Sequence, residues 1–459
     1  MFVGREQELE ALKELYRYDR FTCAAVYGRR RVGTTGLINC FLEGKRAVFF
    51  APVEGSEQQN RVSVIRSITS TIQKTDPDTV FSSVSAALEY LFRGSETEKL
   101  VLVIDDFLRA EKVFCRLAEE LRRIIDQYRG RSRLMLLLCG APVGGMERRL
   151  KDPDSPLSEV IHTFIRLEPL GFEEACRYFK RFQPSDKVLA YGVFGGTPRY
   201  LRYVEDGQSL RENVQRCFLD SGAPLWEEPI QLLRKDIREP AAYVAILSAI
   251  ASGAVNMSAI ANQVGEGTNA CATYLKTLND MGLVTRETPY GESVSRKAIY
   301  SISDNMFRFW FRFMPENASL ITRGAADQVW QRIEPELDGY MAEVFRGICC
   351  QYLKNLLLAG RSPVMFDSLG RWWGVDPLHK RKAEIDIMGA QSDGTAALFA
   401  SCVWSESKVD EDVLDSLVEK SRLFPYRKTF LFLFSRVGFT RSCAERSRQM
   451  GDVRLVSFE

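Results

Sequence analysis

The stretch from Phe21 to Glu43 constrains the fold of this chain more than any other part of its sequence. It begins with a mostly apolar run, Phe21–Tyr27, which predicts a buried strand, and it ends in a helical pattern that carries Leu37, Ile38, Phe41 and Leu42. Between the two stands the loop Gly28-Arg29-Arg30-Arg31-Val32-Gly33-Thr34-Thr35. Such a turn between a strand and a helix binds phosphate, because backbone N–H groups and the helix N-terminus point at the anion. The stretch therefore predicts a P-loop nucleotide-binding fold.

One residue of this loop departs from the phosphate-binding motif. The motif places Lys immediately before Ser or Thr, and this chain has Thr34 at the position of that Lys. Thr35 keeps the hydroxyl that would ligate Mg²⁺. The loop thus predicts a site for ATP and Mg²⁺ that lacks the lysine charge on the β- and γ-phosphates.

Composition excludes several classes of protein. The 459 residues are enough for roughly three domains, and a formal net charge of +2 gives no global attraction for nucleic acid or membrane. No apolar run reaches the ~18 residues that span a bilayer, and two histidines leave little material for a histidine metal site or a catalytic triad. The 11 cysteines include no C-x-x-C pair, and the N-terminus is charged from residue 5. We therefore expect a cytoplasmic protein without structural disulfides.

Strands and helices alternate through the first 169 residues. Strands are predicted by apolar runs at 21–27, 46–52, 100–107, 134–140 and 163–167, with helical patterns between them. Because each run is almost continuously apolar, we expect a parallel sheet with helices on both faces. The fold class is therefore α/β, with a P-loop NTPase core at residues 1–169.

The remainder of the chain predicts three further domains. Helical patterns after Pro169 indicate a helical lid at 170–235. Three short helices at 240–252, 257–264 and 269–281 precede a hairpin of 283–288 and 298–302, which is the pattern of a winged helix at 236–305. A helix at 338–358 and β-like segments at 371–375, 384–388, 396–404 and 428–434 indicate a second α/β domain at 306–459.

A series of motifs along the chain resembles a known family. The motifs are FVGREQELEAL at 2–12, VYGRRRVG at 26–33, VIDDF at 103–107, SPL at 155–157, LEPLGFEEA at 167–175, GGTPRYL at 195–201, FRFWFRF at 307–313 and RWWG…KAEIDIMG at 371–389. They resemble the prokaryotic AAA+-type P-loop ATPases common in archaea. That family joins an ATPase core, a winged helix and a C-terminal DUF234 region that is similar to PD-(D/E)xK nucleases. The resemblance spans essentially the whole chain, and it implies an ATPase that binds ATP with Mg²⁺.

The resemblance assigns roles to residues of the ATPase core, several of which depart from the family pattern. Asp105 matches the Mg²⁺-side carboxylate of the Walker B strand, whereas Asp106 replaces the Glu that orients the attacking water. Ala141 stands where the family has a polar residue, and Ser158–Val160 replace a Gly-Arg-Arg element that is a candidate for charge neutralisation in trans. Arg199 lies where a lid arginine or lysine would face the γ-phosphate. These departures predict weak nucleotide binding and slow or absent turnover.

The nuclease-like region departs from its pattern as well. PD-(D/E)xK nucleases place an acidic residue on one strand and Glu-x-Lys on the next, so that the Glu and Lys share a face and reach a metal ion and a water. Glu384 and Asp386 fit the first strand, but Ser401 and Val403 stand at the Glu and Lys positions of the second. We therefore expect a vestigial nuclease site that cleaves no DNA with Mg²⁺ or Mn²⁺.

The predicted winged helix offers few basic residues for DNA contact. Its third helix offers Lys276 and Asn279, and its hairpin offers Arg286, Arg296 and Lys297. DNA contact and protein contact therefore both stay open for this segment.

Two further sequence features have an ordinary structural interpretation beside a functional one. The aromatic run Phe307–Phe313 favours a core between domains over a base-stacking platform. The basic run His379–Lys382 favours a solvated loop over a phosphate contact.

Three functions stay open. The first is an ATP-binding switch or scaffold with a degraded ATPase site, a pseudoenzyme that contacts DNA or an unknown protein partner. The second is an active ATPase in which Arg199, or a neighbouring subunit of a homo-oligomer, supplies the missing charge. The third is an interaction scaffold that binds no nucleotide.

Overall fold

The structure is a computed structural model that describes residues 2–72, 81, 83–292, 295, 297–377 and 379–458. The chain divides into two compact units. The first runs to Leu170 and also takes in Thr197–Arg199 and Asp280–Gly282, and the second comprises the remaining residues. The finer division at residues 1–169, 170–235, 236–305 and 306–459 stays a prediction.

A parallel five-stranded sheet forms the centre of the first unit, with the order β2-β3-β4-β1-β5. The strands are β1 (Thr22–Gly28), β2 (Ala47–Phe50), β3 (Val101–Ile104), β4 (Met135–Gly140) and β5 (Thr163–Leu167). The helices are α1 (Glu6–Arg17), α2 (Thr34–Leu42), α3 (Glu57–Thr71), α4 (Val84–Gly94), α5 (Phe107–Val113), α6 (Leu117–Tyr128) and α7 (Val143–Leu150). This is the α/β sheet typical of P-loop NTPases, as the sequence predicted.

Side chains of β1 alternate between two cores. Cys23, Ala25 and Tyr27 face a core to which α3, α4, α6 and α7 contribute. Ala24 and Val26 face the opposite core, built with α1 and α2. All residues of β1, β3 and β4 are buried. Since successive side chains of a strand point to opposite faces, a strand covered on both faces must be apolar throughout.

The second unit begins with helices. These are α8 (Phe172–Ala175), α9 (Pro184–Phe194), α10 (Pro198–Leu201), whose first residues belong to the first unit, α11 (Leu210–Phe218) and α12 (Glu228–Asp236). They are followed by α13 (Ala241–Ala251), α14 (Met257–Val264), α15 (Thr268–Asp280) and the antiparallel strands β6 (Val284–Glu287) and β7 (Ile299–Ile302). We call α13–α15 with β6 and β7 the helix–hairpin segment.

A separate five-stranded sheet ends the chain. Helices α16 (Asn305–Thr322), α17 (Ala326–Ile333) and α18 (Leu337–Leu358) precede it. It consists of β8 (Gly370–Asp376), β9 (Arg381–Ala390), β10 (Ala396–Val403), β11 (Lys428–Ser435) and β12 (Val453–Ser457), with α19 (Glu411–Ser421) and α20 (Arg441–Met450) between strands. The order is β12-β11-β10-β9-β8, in which β10, β11 and β12 are parallel and β9 runs antiparallel to both of its neighbours.

Candidate functional site

The predicted phosphate loop, residues 28–35, joins the end of β1 to the start of α2. A Cβ on Gly28 would lie 2.6 Å from the carbonyl oxygen of Leu167, so only glycine fits where β1 passes β5. Gly33 has a φ of 104°, in the region that favours glycine, and it caps α2. Arg31 also has a positive φ, 74°. Arg29, Arg30 and Arg31 are half-buried, whereas Val32 is buried beneath the loop.

Two of the predicted Mg²⁺ residues meet. The Thr35 hydroxyl donates a 3.2 Å hydrogen bond to Oδ2 of Asp105, which directly follows β3, and the Asp106 N–H donates to Oδ1 of Asp105 at 3.1 Å. Burial raises the pKa of Asp105, and these two hydrogen bonds offset only part of that rise. A hydroxyl and a carboxylate are hard oxygen ligands of the type that Mg²⁺ prefers.

These residues fit Mg²⁺ bound together with a nucleotide. Among the described residues, no group of three or more His, Cys, Asp or Glu side chains could hold a metal ion. Mg²⁺ requires no such group, since it is usually held by one or two carboxylates, substrate phosphates and waters. Thr35 and Asp105 would hold the ion, which would supply charge neutralisation on the phosphates.

The other residues predicted to take part in catalysis lack the charge or the polar groups that the motif calls for. Thr34, the first residue of α2, is half-buried and carries no charge. Asp106 is half-buried and adopts a φ of 50° before α5, with no side-chain capping bond to that helix. Ala141 follows β4, the strand between β1 and β3, so a residue without a polar side chain stands at the centre of this sheet edge. The 3₁₀ turn Ser158–Val160 carries Glu159, which is paired with Arg122 at 3.0 Å.

Arg199 is brought to the neighbourhood of the phosphate loop. The preceding residue, Pro198, has its Cγ 3.5 Å from the position of a Cβ on Gly33. Thr197 is fully buried, and its hydroxyl accepts a 2.9 Å hydrogen bond from Nη2 of Arg29. Arg199 itself is exposed and forms no ion pair or side-chain hydrogen bond with any part of the chain that the structure describes.

Arg5 is a residue of this region to which sequence reasoning assigned no role. It is 6% exposed, and its guanidinium donates to the Val32 carbonyl of the phosphate loop at 3.3 Å. It also donates to the carbonyl of Glu168, beyond β5, and to the carboxylate of Glu8 at 3.0 Å. Arg5 therefore holds the loop's backbone against the start of α1. The sequence feature that could have pointed to Arg5 is its position in the FVGRE motif.

Glu384, Asp386 and Ser401 line one cavity of about 460 Å³ in the C-terminal sheet. The Cys402 N–H donates a 2.7 Å hydrogen bond to Oδ2 of Asp386, and the Ser401 hydroxyl lies 3.3 Å from the same oxygen. Burial raises the pKa of Asp386, and the Cys402 N–H offsets part of that rise. Glu384 forms an ion pair with Arg371.

The same cavity contains side chains that the strand pattern could not reveal. Asp412 and Lys420, both on α19, line it opposite the strand residues. Val403 is absent from the lining and packs against the apolar core of the sheet. A lysine therefore accompanies the three carboxylates of Glu384, Asp386 and Asp412, but from a helix rather than from the neighbouring strand. The absence of nuclease activity stays a prediction.

The helix–hairpin segment shows few free cations. Lys276 is exposed on α15, where Asn279 donates its Nδ2 to the Val284 carbonyl at 3.0 Å. Arg286 donates to the Ser295 carbonyl at 3.3 Å. Lys297 pairs with Glu292 at 3.2 Å, and Arg296 lies outside the described residues.

The hairpin of this segment is joined to the C-terminal sheet. The N–H of Tyr290 donates to the Arg371 carbonyl of β8, and its hydroxyl accepts from the Ala390 N–H of β9, both at 2.9 Å. The predicted aromatic run on α16 is core, since Phe307, Phe309, Phe311 and Phe313 are all buried.

Two family models match this chain. Residues 2–204 match a family described as an ATPase domain predominantly from Archaea. Residues 310–413 match DUF234, described as archaeal and bacterial proteins of unknown function. Within the described residues, no helix is both long and apolar enough to cross a membrane.

Two relatives come from Methanocaldococcus jannaschii. The uncharacterized protein MJECL04 is 28% identical over 468 residues, which cover 100% of this chain and 99% of the relative. The uncharacterized ATP-binding protein MJ0423 is 48% identical over 46 residues, 10% of this chain and 78% of that protein. Among solved structures, the Walker-type ATPase PABY2304 of Pyrococcus abyssi is 19% identical with a TM-score of 0.48, over 68% of this chain and 96% of that one.

Proposed function

We propose that this chain, whose N-terminal domain belongs to a predominantly archaeal family of ATPase domains, binds ATP with Mg²⁺ and hydrolyses it slowly or not at all. In this proposal the protein is a nucleotide-responsive switch or scaffold in the cytoplasm, joined to a DUF234 domain.

One observation carries the proposal. The Thr35 hydroxyl is hydrogen-bonded to Asp105 at 3.2 Å, beside the loop in which Gly33 has a φ of 104° and a Cβ on Gly28 would clash with the Leu167 carbonyl. The proposal assigns the Mg²⁺ contacts to these two oxygen ligands and the phosphate contacts to the N–H groups at the start of α2. Because such groups contact the nucleotide in the ground state, their presence supports binding.

The charge that would drive turnover is missing from the same site. A lysine at position 34 would donate charge-assisted hydrogen bonds, typically worth about 1.5–3 kcal/mol, to the β- and γ-phosphates. Asp106 has a shorter reach than the Glu that orients an attacking water. Phosphoryl transfer depends on positioning and electrostatic stabilisation, so the missing lysine lowers the rate as well as the affinity, and the shorter Asp106 lowers the rate.

A second candidate is a working ATPase, and the position of Arg199 favours it. This exposed arginine follows Pro198, which lies beside Gly33, and it has no ion-pair partner in the described chain. Arginine supplied from a lid or a neighbouring subunit can stabilise the charge of the transition state. A hydrolysis rate per chain that rises with protein concentration would indicate the neighbouring subunit, whereas a concentration-independent rate that is lost in Arg199→Ala would indicate Arg199 itself.

Calorimetric titration with ATP and ADP, with and without Mg²⁺, tests the binding proposal. We expect ATP to bind, and Mg²⁺ to strengthen ATP binding in the natural chain but not in Thr35→Ala. Thr34→Lys should tighten ATP binding by about tenfold to a hundredfold, the equivalent of about 1.5–3 kcal/mol.

Thr34→Ala is the matched control for the charge at this position. It removes the Thr34 hydroxyl without adding a cation, and we expect an affinity within about threefold of the natural chain. If neither nucleotide binds the natural chain, the proposal fails and the scaffold without nucleotide is the better account.

A further inference from the structure

The hairpin of β8 and β9 extends beyond the C-terminal sheet. Strand β9 pairs with β10 only over Ile387–Ala390, whereas its pairing with β8 continues out to Arg381. Residues 371–376 and 381–386 therefore form a two-stranded ribbon with no third strand in the described ladder. A two-stranded ribbon has dimensions that the major groove of duplex DNA admits.

Cations gather at the tip of this ribbon. The side chains from His379 to Lys382 are all exposed. His379 is held by Asp376 at 2.6 Å. Lys380 and Lys382 form no ion pair or side-chain hydrogen bond within the described chain. Lysines without an internal partner are available to phosphate, and their binding to DNA releases condensed counterions.

The C-terminal end of α19 adds to the same surface. Arg381 pairs with Glu419 at 3.4 Å, which joins the ribbon tip to the last turn of the helix and neutralises that carboxylate. Lys420 and Arg422 follow directly, with Arg422 exposed and Lys420 lining the cavity that holds Glu384.

We propose that this surface, which we call the basic hairpin surface and define as Lys380, Arg381, Lys382, Lys420 and Arg422, binds the phosphate backbone of duplex DNA. The binding is independent of the nucleotide site and of the helix–hairpin segment. That segment exposes Lys276 and Arg286, while its Lys297 is paired with Glu292.

The geometry favours duplex over single-stranded DNA. Single strands are bound largely by stacking of bases on exposed aromatic rings. Trp372 is turned toward the sheet's own core, where its ring lies 5.1 Å from that of Phe424 in an edge-to-face arrangement. Trp373 is half-buried, and the apolar residue that the ribbon exposes most is Val375, at 63%, which carries no ring.

Fluorescence anisotropy with a labelled mixed-sequence duplex of about 20 base pairs, roughly two helical turns, tests the proposal on the full chain without nucleotide. The double variant Lys380→Glu/Lys382→Glu should bind at least about tenfold more weakly at low salt. The slope of log affinity against log salt concentration should fall by about two. The matched control Lys276→Glu/Arg286→Glu makes the same change in net charge and should stay within about twofold.

Each other outcome overturns the proposal. These outcomes are no binding by the natural chain at low salt, equal affinity in the ribbon variant, an equal loss in the matched control, and tighter binding to vesicles of anionic lipid than to duplex. Because all four substituted side chains are exposed, both double variants should unfold at the same temperature as the natural chain. A thermal unfolding curve of each variant therefore checks that folded proteins are being compared.

Discussion

At Thr34 the chain presents a neutral hydroxyl where a phosphate loop requires a cation. The neighbouring residues keep what the backbone needs: Gly28 passes Leu167 without a side chain, and Thr35 is bonded to Asp105. The substitution therefore removes charge without removing geometry. In the proposed nucleotide site, the lysine contact that is missing is one that strengthens as charge develops on the phosphates.

Arg5 stabilises the first unit by joining the loop at Val32 to the segment after β5. Arg5→Ala should lower the free energy of unfolding by about 2–3 kcal/mol, because it leaves the buried carbonyl of Val32 and the carbonyl of Glu168 without a charged donor. Arg5→Lys should recover less than half, since an ammonium does not reproduce the fork that reaches two carbonyls.

Unfolding in urea, followed by a signal from the first unit, measures this loss in the free energy of unfolding. Arg17→Ala, on the same helix, is the control, because its pair with Glu10 is exposed and should contribute less than about 1 kcal/mol. A loss in Arg5→Ala no larger than in Arg17→Ala would show that the tie to the loop contributes nothing.

The site was predictable only where its residues follow strands. The sequence predicts that three residues lie close together, because β1 and β3 end at one edge of a parallel sheet: Gly28, Thr35 and Asp105. Arg5 and Lys420 reach their sites through contacts between segments far apart in the chain, and no spacing rule encodes such contacts. Residue patterns along a strand therefore predicted that the candidate metal residues Thr35 and Asp105 would meet, and missed Arg5 and the lysine from a helix.

At the scale of elements, an ion-pair cluster joins α18 to the hairpin strand β6. Arg346 is 11% exposed and bonds to Glu343 at 2.5 Å and to Glu287 at 3.3 Å. Burial by itself would raise the pKa of Glu343, but the hydrogen bond from Arg346, together with the positive charges of Arg346, Arg308 and Arg371, outweighs burial and leaves that pKa below its ordinary value. The ionised form of Glu343 is thus the one that the fold stabilises.

Glu343→Gln should cost about 2–3 kcal/mol near neutral pH, since it removes one of two carboxylates that compensate a buried guanidinium. Because the folded pKa of Glu343 lies below the unfolded one, its contribution is present above the unfolded value and is lost as the pH falls through the folded value. The difference between variant and natural chain should therefore shrink on acidification.

The free energy of unfolding, measured at neutral pH and at about pH 4, checks this. Glu445→Gln removes an exposed i,i+4 pair with Arg441 and should change stability by less than about 0.5 kcal/mol. A cost for Glu343→Gln that grows toward acid pH would contradict the sign of the argument.

Several elements gave too little pattern to be predicted. Helix α20 buries only Cys443 and Ser447, and β12 buries none of its residues fully, so neither carries an apolar period. Two helices, α5 and α6, follow β3, separated by a turn at Phe114, whose ring lies 6.0 Å from that of Phe50. The chain between Leu170 and Pro184 contains only α8 and a short 3₁₀ turn.

At the scale of the whole chain, two sheets carry the two proposed sites. The parallel sheet of the first unit holds the phosphate loop. The mixed sheet of the second unit holds the carboxylate cavity and the basic hairpin surface. The order of strands and helices predicted the first sheet and a second α/β domain, because most of their strand runs are apolar, whereas β12 was not predicted. A switch further requires that ATP and ADP bind two states of the chain with different affinities.

The central claim is that Thr34 limits turnover in an otherwise assembled nucleotide site. Single-turnover hydrolysis of ATP with Mg²⁺, with protein in excess, measures it for the natural chain beside Thr34→Lys and Thr34→Ala. The account predicts that Thr34→Lys hydrolyses ATP at least about tenfold faster than the natural chain, a difference of about 1.4 kcal/mol in the barrier, and that Thr34→Ala does not. Equal rates in the natural chain and Thr34→Lys would contradict it.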